Sequence, residues 1–81
     1  MDTTYLLTFE NTFEAMRTEE RLKIKEIKYY VMPTPTIVTK SCGISICIED
    51  YEGVLLLRKE DSLNIKAIFK RENSNYILME E

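Results

Sequence analysis

The chain has 81 residues, of which 44% are hydrophobic, and a net charge of −3, which together predict one small globular domain over residues 1–81. Its 14 acidic and 11 basic residues are interspersed, so the sequence lacks the basic surface that general nucleic-acid binding requires. Histidine is absent and only two cysteines are present, which argues against a four-ligand zinc site within one chain and removes the commonest general base. We therefore expect no metal, no cofactor and no stand-alone enzyme activity.

The N-terminal residues and the apolar runs bear on the cellular compartment. Met1 to Thr4 lack the basic segment of a signal peptide, and the longest purely apolar run, Val54 to Leu57, is far too short to cross a bilayer. These features predict a cytoplasmic protein without a membrane partner. Thiols in that compartment stay reduced unless they take part in chemistry.

The first half of the chain predicts a strand, a helix and a second strand. Tyr5–Phe9 is rich in β-prone residues, and Asn11 or Thr12 can cap a helix that runs to about Lys25. At about 100° per residue, one face of this helix collects Thr12, Ala15, Met16, Glu19 and Leu22. The β-prone residues 27–32 then form a strand that stops at Pro33, which has no N–H for a ladder.

Glu19 is the charged member of that helix face. The simpler interpretation places it at the boundary of the core, with its carboxylate in solvent, because unpaired charges are rarely buried. The alternative is that Glu19 orients backbone near the loop that follows the second strand.

The second half predicts a strand, a helix and two further strands. Ile44, Ile46 and Ile48 alternate with polar or small residues and should face the core. Asp50 can cap a helix from Tyr51 to about Glu60, and the remaining β-prone segments are residues 65–70 and 76–79, separated by the turn residues 73–75. This order predicts an α+β, ferredoxin-like β-α-β-β-α-β sandwich with an extra C-terminal strand as a variant.

The segment from Pro33 to Gly43 is the most unusual part of the sequence. It contains both prolines of the chain, Pro33 and Pro35, and places Cys42 directly before Gly43. Because proline fixes its own φ angle, two prolines stiffen a loop that holds a thiol in one place. The segment therefore indicates thiol chemistry at Cys42, although the residues alone fit equally well a small loop cysteine without a role.

Three neighbours of Cys42 favour its thiolate. The Lys40 cation lowers the pKa of a nearby thiol, and the Ser41 hydroxyl can donate a hydrogen bond to an anion. Gly43 permits unusual dihedral angles, and backbone N–H groups in such a turn can surround a thiolate or a persulfide. We therefore take Lys40, Ser41 and Gly43 as supporting residues of the candidate site.

Cys47 lies in the middle of the third predicted strand, where a buried free cysteine is common, and we expect it to be structural. A disulfide with Cys42 requires the chain to bend, since five extended residues span about 17 Å. That disulfide would make the pair a redox switch.

The sequence resembles the putative selenium/sulfur carrier protein-like family, small bacterial proteins first catalogued as a domain of unknown function. The resemblance runs from Tyr5 to about Phe69, and its most specific part is Pro33-Thr34-Pro35 followed six residues later by Ser41-Cys42-Gly43. Supporting matches are Tyr5, Leu6, Phe9, Thr12, Ala15, Glu19 and Leu22. The chain departs from the family where Thr36 and Ile37 replace a charged pair and where Thr39 and Lys40 replace serines.

The resemblance implies a carrier that holds a persulfide or perselenide on Cys42 and passes it between donor and acceptor proteins. Two alternatives remain at this point. One is a protein-binding or dimerisation module without chemistry, in which Leu56, Tyr30 and residues 76–79 form a homodimer. The other is the redox switch of Cys42 and Cys47.

Overall fold

The computed structural model describes residues 3–35 and 43–80, which form two helices and five strands. The elements in chain order are β1 (Tyr5–Thr8), α1 (Thr12–Ile24), β2 (Tyr29–Pro33), β3 (Ile44–Ile48), α2 (Tyr51–Asp61), β4 (Ala67–Glu72) and β5 (Asn75–Glu80). Neither described helix is long and apolar enough to cross a membrane.

The strands form one antiparallel sheet in the order β2-β3-β1-β4-β5. The predicted α+β class is therefore confirmed, and so is the extra C-terminal strand. Asn73 at the β4–β5 turn has a φ of 56°, a left-handed conformation that asparagine adopts more readily than most residues. The two-residue connection of Asn73 and Ser74 folds β5 back onto β4 as a hairpin.

One face of the sheet packs against both helices. Leu7 of β1 lies opposite Ile46 of β3 and Ile68 of β4, and these three side chains are fully buried. The buried core cluster consists of Leu7, Phe9, Ala15, Leu22, Ile46, Ile48, Val54, Leu57, Leu63, Ile65 and Ile68. The predicted inward alternation of β3 is confirmed, with Ile44 half-buried against the cluster.

The other side of the sheet, called here the second face, carries a row of paired residues across all five strands. The row consists of Tyr30, Cys47, Leu6, Phe69 and Leu78. Leu6 is buried at the centre of the row, and Thr8 and Ser45 are buried on the same face. Tyr30 and Leu78 at the two ends are exposed.

Both predicted helix caps are confirmed. The Asn11 side chain accepts a hydrogen bond from the backbone N–H of Glu14 at 3.0 Å, and Asp50 accepts one from Gly53 at 3.0 Å. Each side chain satisfies a first-turn N–H that has no partner within the helix. Local capping chemistry thus sets where both helices begin.

The predicted inward face of α1 is partly wrong. Ala15 and Leu22 are buried as expected, but Met16 is exposed and Thr18 is buried in its place. Of the buried residues Ala15, Thr18 and Leu22, the first two have small side chains, which allow the helix to approach the sheet. Packing against the sheet therefore outweighs the higher hydrophobicity of methionine.

The second strand also differs from its prediction, because it begins at Tyr29 and includes Pro33. Pro33 pairs with Ile44 at the end of β2, which is an edge strand of the sheet. An edge strand tolerates proline because only one of its sides must supply ladder hydrogen bonds.

Candidate functional site

The candidate site is the connection between β2 and β3, whose two ends are tied together. The backbone N–H of Thr34 donates a hydrogen bond to the carbonyl of Gly43 at 3.1 Å, next to the Pro33–Ile44 pair of the ladder. Thr34 and Gly43, together with Ser45, are called here the loop base. This bond ties the end of β2 to the start of β3 at the base of the connection.

A hydroxyl pair reinforces the loop base from the second face. The hydroxyls of Thr34 and Ser45 share a hydrogen bond of 2.7 Å, and the Ser45 side chain is fully buried. A buried hydroxyl requires a partner, so Thr34 satisfies Ser45 while it also anchors the loop through its backbone. This pair was not predicted from the sequence, although a serine between Ile44 and Ile46 in a buried strand indicates that its hydroxyl needs a partner.

The structure places four of the predicted site residues: Pro33, Pro35, Gly43 and Glu19. Pro33 is the exposed last residue of β2, and Pro35 follows Thr34 in a half-buried position. Both therefore lie where the chain leaves the sheet. Lys40, Ser41 and Cys42 lie outside the described residues.

Gly43 is exposed, and a Cβ built at this position would meet none of the described atoms within 4 Å. The unusual dihedral angles expected of Gly43 stay a prediction.

Glu19 is half-buried at the boundary of the core, and its carboxylate has a specific partner there. The Tyr29 hydroxyl donates a hydrogen bond to the Glu19 carboxylate at 2.9 Å. This bond, with a smaller effect of desolvation, raises the pKa of the Tyr29 phenol because both favour its neutral form. Tyr29 is the first residue of β2, whereas the loop leaves from the last, so this contact is at the other end of the strand.

Cys47 is a half-buried free thiol on the second face. It pairs with Leu6 of β1 and Tyr30 of β2 in the row that crosses the sheet. This position suits the expected structural role. Across residues 3–35 and 43–80, no group of histidine, cysteine and acidic side chains could hold a metal ion.

Comparison with known families finds a match over most of the chain. The family model described as "Putative Se/S carrier protein-like" matches residues 4–70. The chain belongs to this Se/S carrier-like family. No curated protein and no solved structure matches the chain.

The Se/S carrier-like segment begins just before β1 and ends within β4. It includes the loop base and the whole sequence between Pro33 and Gly43. Strand β5 lies beyond the matched residues, so the hairpin with β4 is an addition to the part that the family model covers.

Thr34→Val should destabilise this Se/S carrier-like domain by about 1–3 kcal/mol, because it leaves the buried Ser45 hydroxyl without the partner described above. Thr34→Ser keeps a hydroxyl and should cost less. The Thr34→Val/Ser45→Ala double variant should lose less than the sum of the two single variants, since both polar partners are removed together. Urea unfolding of the four variants measures these differences, and additive losses would show that the hydroxyl pair contributes nothing.

Proposed function

We propose that this protein carries sulfur or selenium on Cys42, as a persulfide or perselenide, and passes it between partner enzymes. The observation that carries the proposal is the family match over residues 4–70, which includes the complete loop with Cys42. The tie between Thr34 and Gly43 supports it, because a carrier needs its thiol at a defined place on the surface.

The proposed loading step is an exchange between a donor persulfide and the Cys42 thiolate. The thiolate attacks the outer sulfur of a donor Cys–S–SH, the S–S bond of the donor breaks, and Cys42–S–SH forms as the donor thiolate leaves. Atoms and charge balance without an external oxidant. The donor, for example a cysteine desulfurase, performs the difficult bond cleavage beforehand, so the carrier itself needs neither a cofactor nor a general base.

The loop residues have distinct proposed roles. Lys40 stabilises the thiolate by its charge, Ser41 donates a hydrogen bond, and the backbone N–H of Gly43 contributes a further donor. Pro33 and Pro35 restrict the chain where it leaves the sheet. Glu19, whose described contact is with Tyr29, contributes indirectly by holding α1 against the start of β2.

The same proposal bears on the cellular compartment and on the domain organisation of the protein. We also propose that the carrier works in the cytoplasm, where the thiol that each transfer returns stays reduced. We further propose that residues 1–81 act as one ferredoxin-like domain, with the sheet order β2-β3-β1-β4 as its support and β5 as an extension.

The pKa of the Cys42 thiol tests whether this residue can act as the carrier thiol. Measured as the pH dependence of alkylation in the Cys47→Ser variant, it should lie well below the ordinary value of about 8.5. Lys40→Gln should move it upward, because a nearby cation is lost. A pKa at or above the ordinary value would favour a binding module without thiol chemistry.

A further inference from the structure

Helix α1 presents an apolar stripe to solvent on the side away from the sheet. Phe13 is 71% exposed, Met16 61% and Ile24 57%, although each is a residue that normally avoids water. At about 100° per residue, Phe13 and Ile24 lie within about 20° of each other around the helix, and Met16 lies about 60° to one side. These three residues are called here the outer stripe.

The outer stripe is distinct from the face that builds the core. Ala15, Thr18 and Leu22 are buried on the opposite side of the same helix. The helix therefore has two apolar faces, and the fold uses only one of them. An exposed apolar stripe flanked by charges is typical of a protein interaction surface.

Two charged residues of opposite sign, Arg17 and Glu20, lie between Phe13 and Ile24 along the helix axis. Around the helix, Arg17 is on one side of these two apolar residues and Glu20 is on the other, about 60° from Arg17. Both side chains are exposed. Arg17 donates one hydrogen bond to the Asp61 carbonyl at 3.3 Å, which leaves the rest of its guanidinium available, whereas Arg21 is held by the Asp61 carboxylate at 2.7 Å.

We propose that α1 docks against α1 of a second copy of this chain, with the two helices parallel and related by a two-fold axis. In that arrangement Arg17 of each copy faces Glu20 of the other copy, so the two-fold axis forms this ion pair twice. Phe13 and Ile24 pack against the same residues of the other copy.

Charge complementarity favours a second copy over an unrelated partner. The outer stripe carries both the cation and the anion that match each other under a two-fold axis, and an unrelated partner would not require this pairing. The contact is small, so we expect a reversible monomer–dimer equilibrium rather than a permanent dimer. This interface differs from the one predicted from Leu56, Tyr30 and residues 76–79, because it is formed by α1.

A charge-swap experiment tests the proposal. Sedimentation equilibrium, run with a reductant over a wide concentration range, should show a monomer–dimer equilibrium for the native chain. Arg17→Glu and Glu20→Arg should each raise the dimer dissociation constant about tenfold or more, since each places like charges together twice. The Arg17→Glu/Glu20→Arg double variant should restore dimerisation.

Matched controls come from the end of β4, where Arg71 and Glu72 are exposed. Arg71→Glu and Glu72→Arg make the same charge changes outside α1 and should leave the dissociation constant unchanged. Far-UV circular dichroism confirms that each variant keeps its helices. A native chain that stays monomeric throughout, or a double variant no better than the single ones, would overturn the proposal.

Discussion

Replacing Cys42 by serine should abolish sulfur loading, whereas the same replacement of Cys47 should leave loading intact. The two cysteines are only five residues apart in the sequence, and the proposal gives them different roles. Cys42 precedes Gly43, whose carbonyl is bound to Thr34 at the loop base. Cys47 is half-buried within β3 and faces its neighbours on the second face. Because serine cannot form a persulfide, only the loss of the carrying thiol should remove transfer.

The measurement is the sulfide that dithiothreitol releases from desalted protein after incubation with a cysteine desulfurase and cysteine. We expect close to one sulfide per chain for the native protein and for Cys47→Ser, and background for Cys42→Ser. Equal loading of the two single variants would mean that either thiol is sulfurated without selection. Loss of loading in Cys47→Ser alone would show that Cys47, and not Cys42, carries the sulfur.

Phe9→Ala should destabilise the domain severely. Phe9 is fully buried in the core cluster, between β1 and α1. Removing a buried phenylalanine costs about 3–5 kcal/mol. A chain of this length has a total stability of roughly 4–12 kcal/mol, so the loss is a large fraction of that stability.

Phe13→Ala is the matched control, since it makes the same chemical change four residues later at a side chain that is 71% exposed. Its free energy of unfolding should change by no more than about 0.5 kcal/mol. Urea unfolding, followed by far-UV circular dichroism, compares the two variants at a concentration where the chain is monomeric. Similar losses for both would contradict the orientation assigned to α1.

The sequence predicted the positions of the helices and strands better than it predicted which side of α1 is buried. Local signals located the elements well: the caps Asn11 and Asp50 are used as predicted, and the alternation of β3 sets its inward side. The inward face of α1 was harder, because the helix carries apolar residues on two sides. Only packing against the sheet selects the side with Ala15 and Thr18.

The candidate site was predictable to a similar extent. The prolines and Gly43 lie at the ends of the loop, as their positions in the sequence indicate. The Thr34–Ser45 bond was not predicted, because it joins residues eleven positions apart whose meeting depends on the β2–β3 register. The Tyr29–Glu19 bond was missed for the same reason, since it requires α1 to lie over the start of β2.

The most direct test of the carrier proposal is to locate the transferred sulfur by mass spectrometry. Trypsin cleavage after Lys40 and Arg58 places both cysteines in one peptide, residues 41–58, so fragment ions must separate them. After incubation with a cysteine desulfurase and cysteine, we predict a gain of about 32 Da, one persulfide sulfur, on fragments that contain Cys42 but not Cys47. Absence of that gain, while a known carrier is loaded in the same reaction, would contradict the proposal.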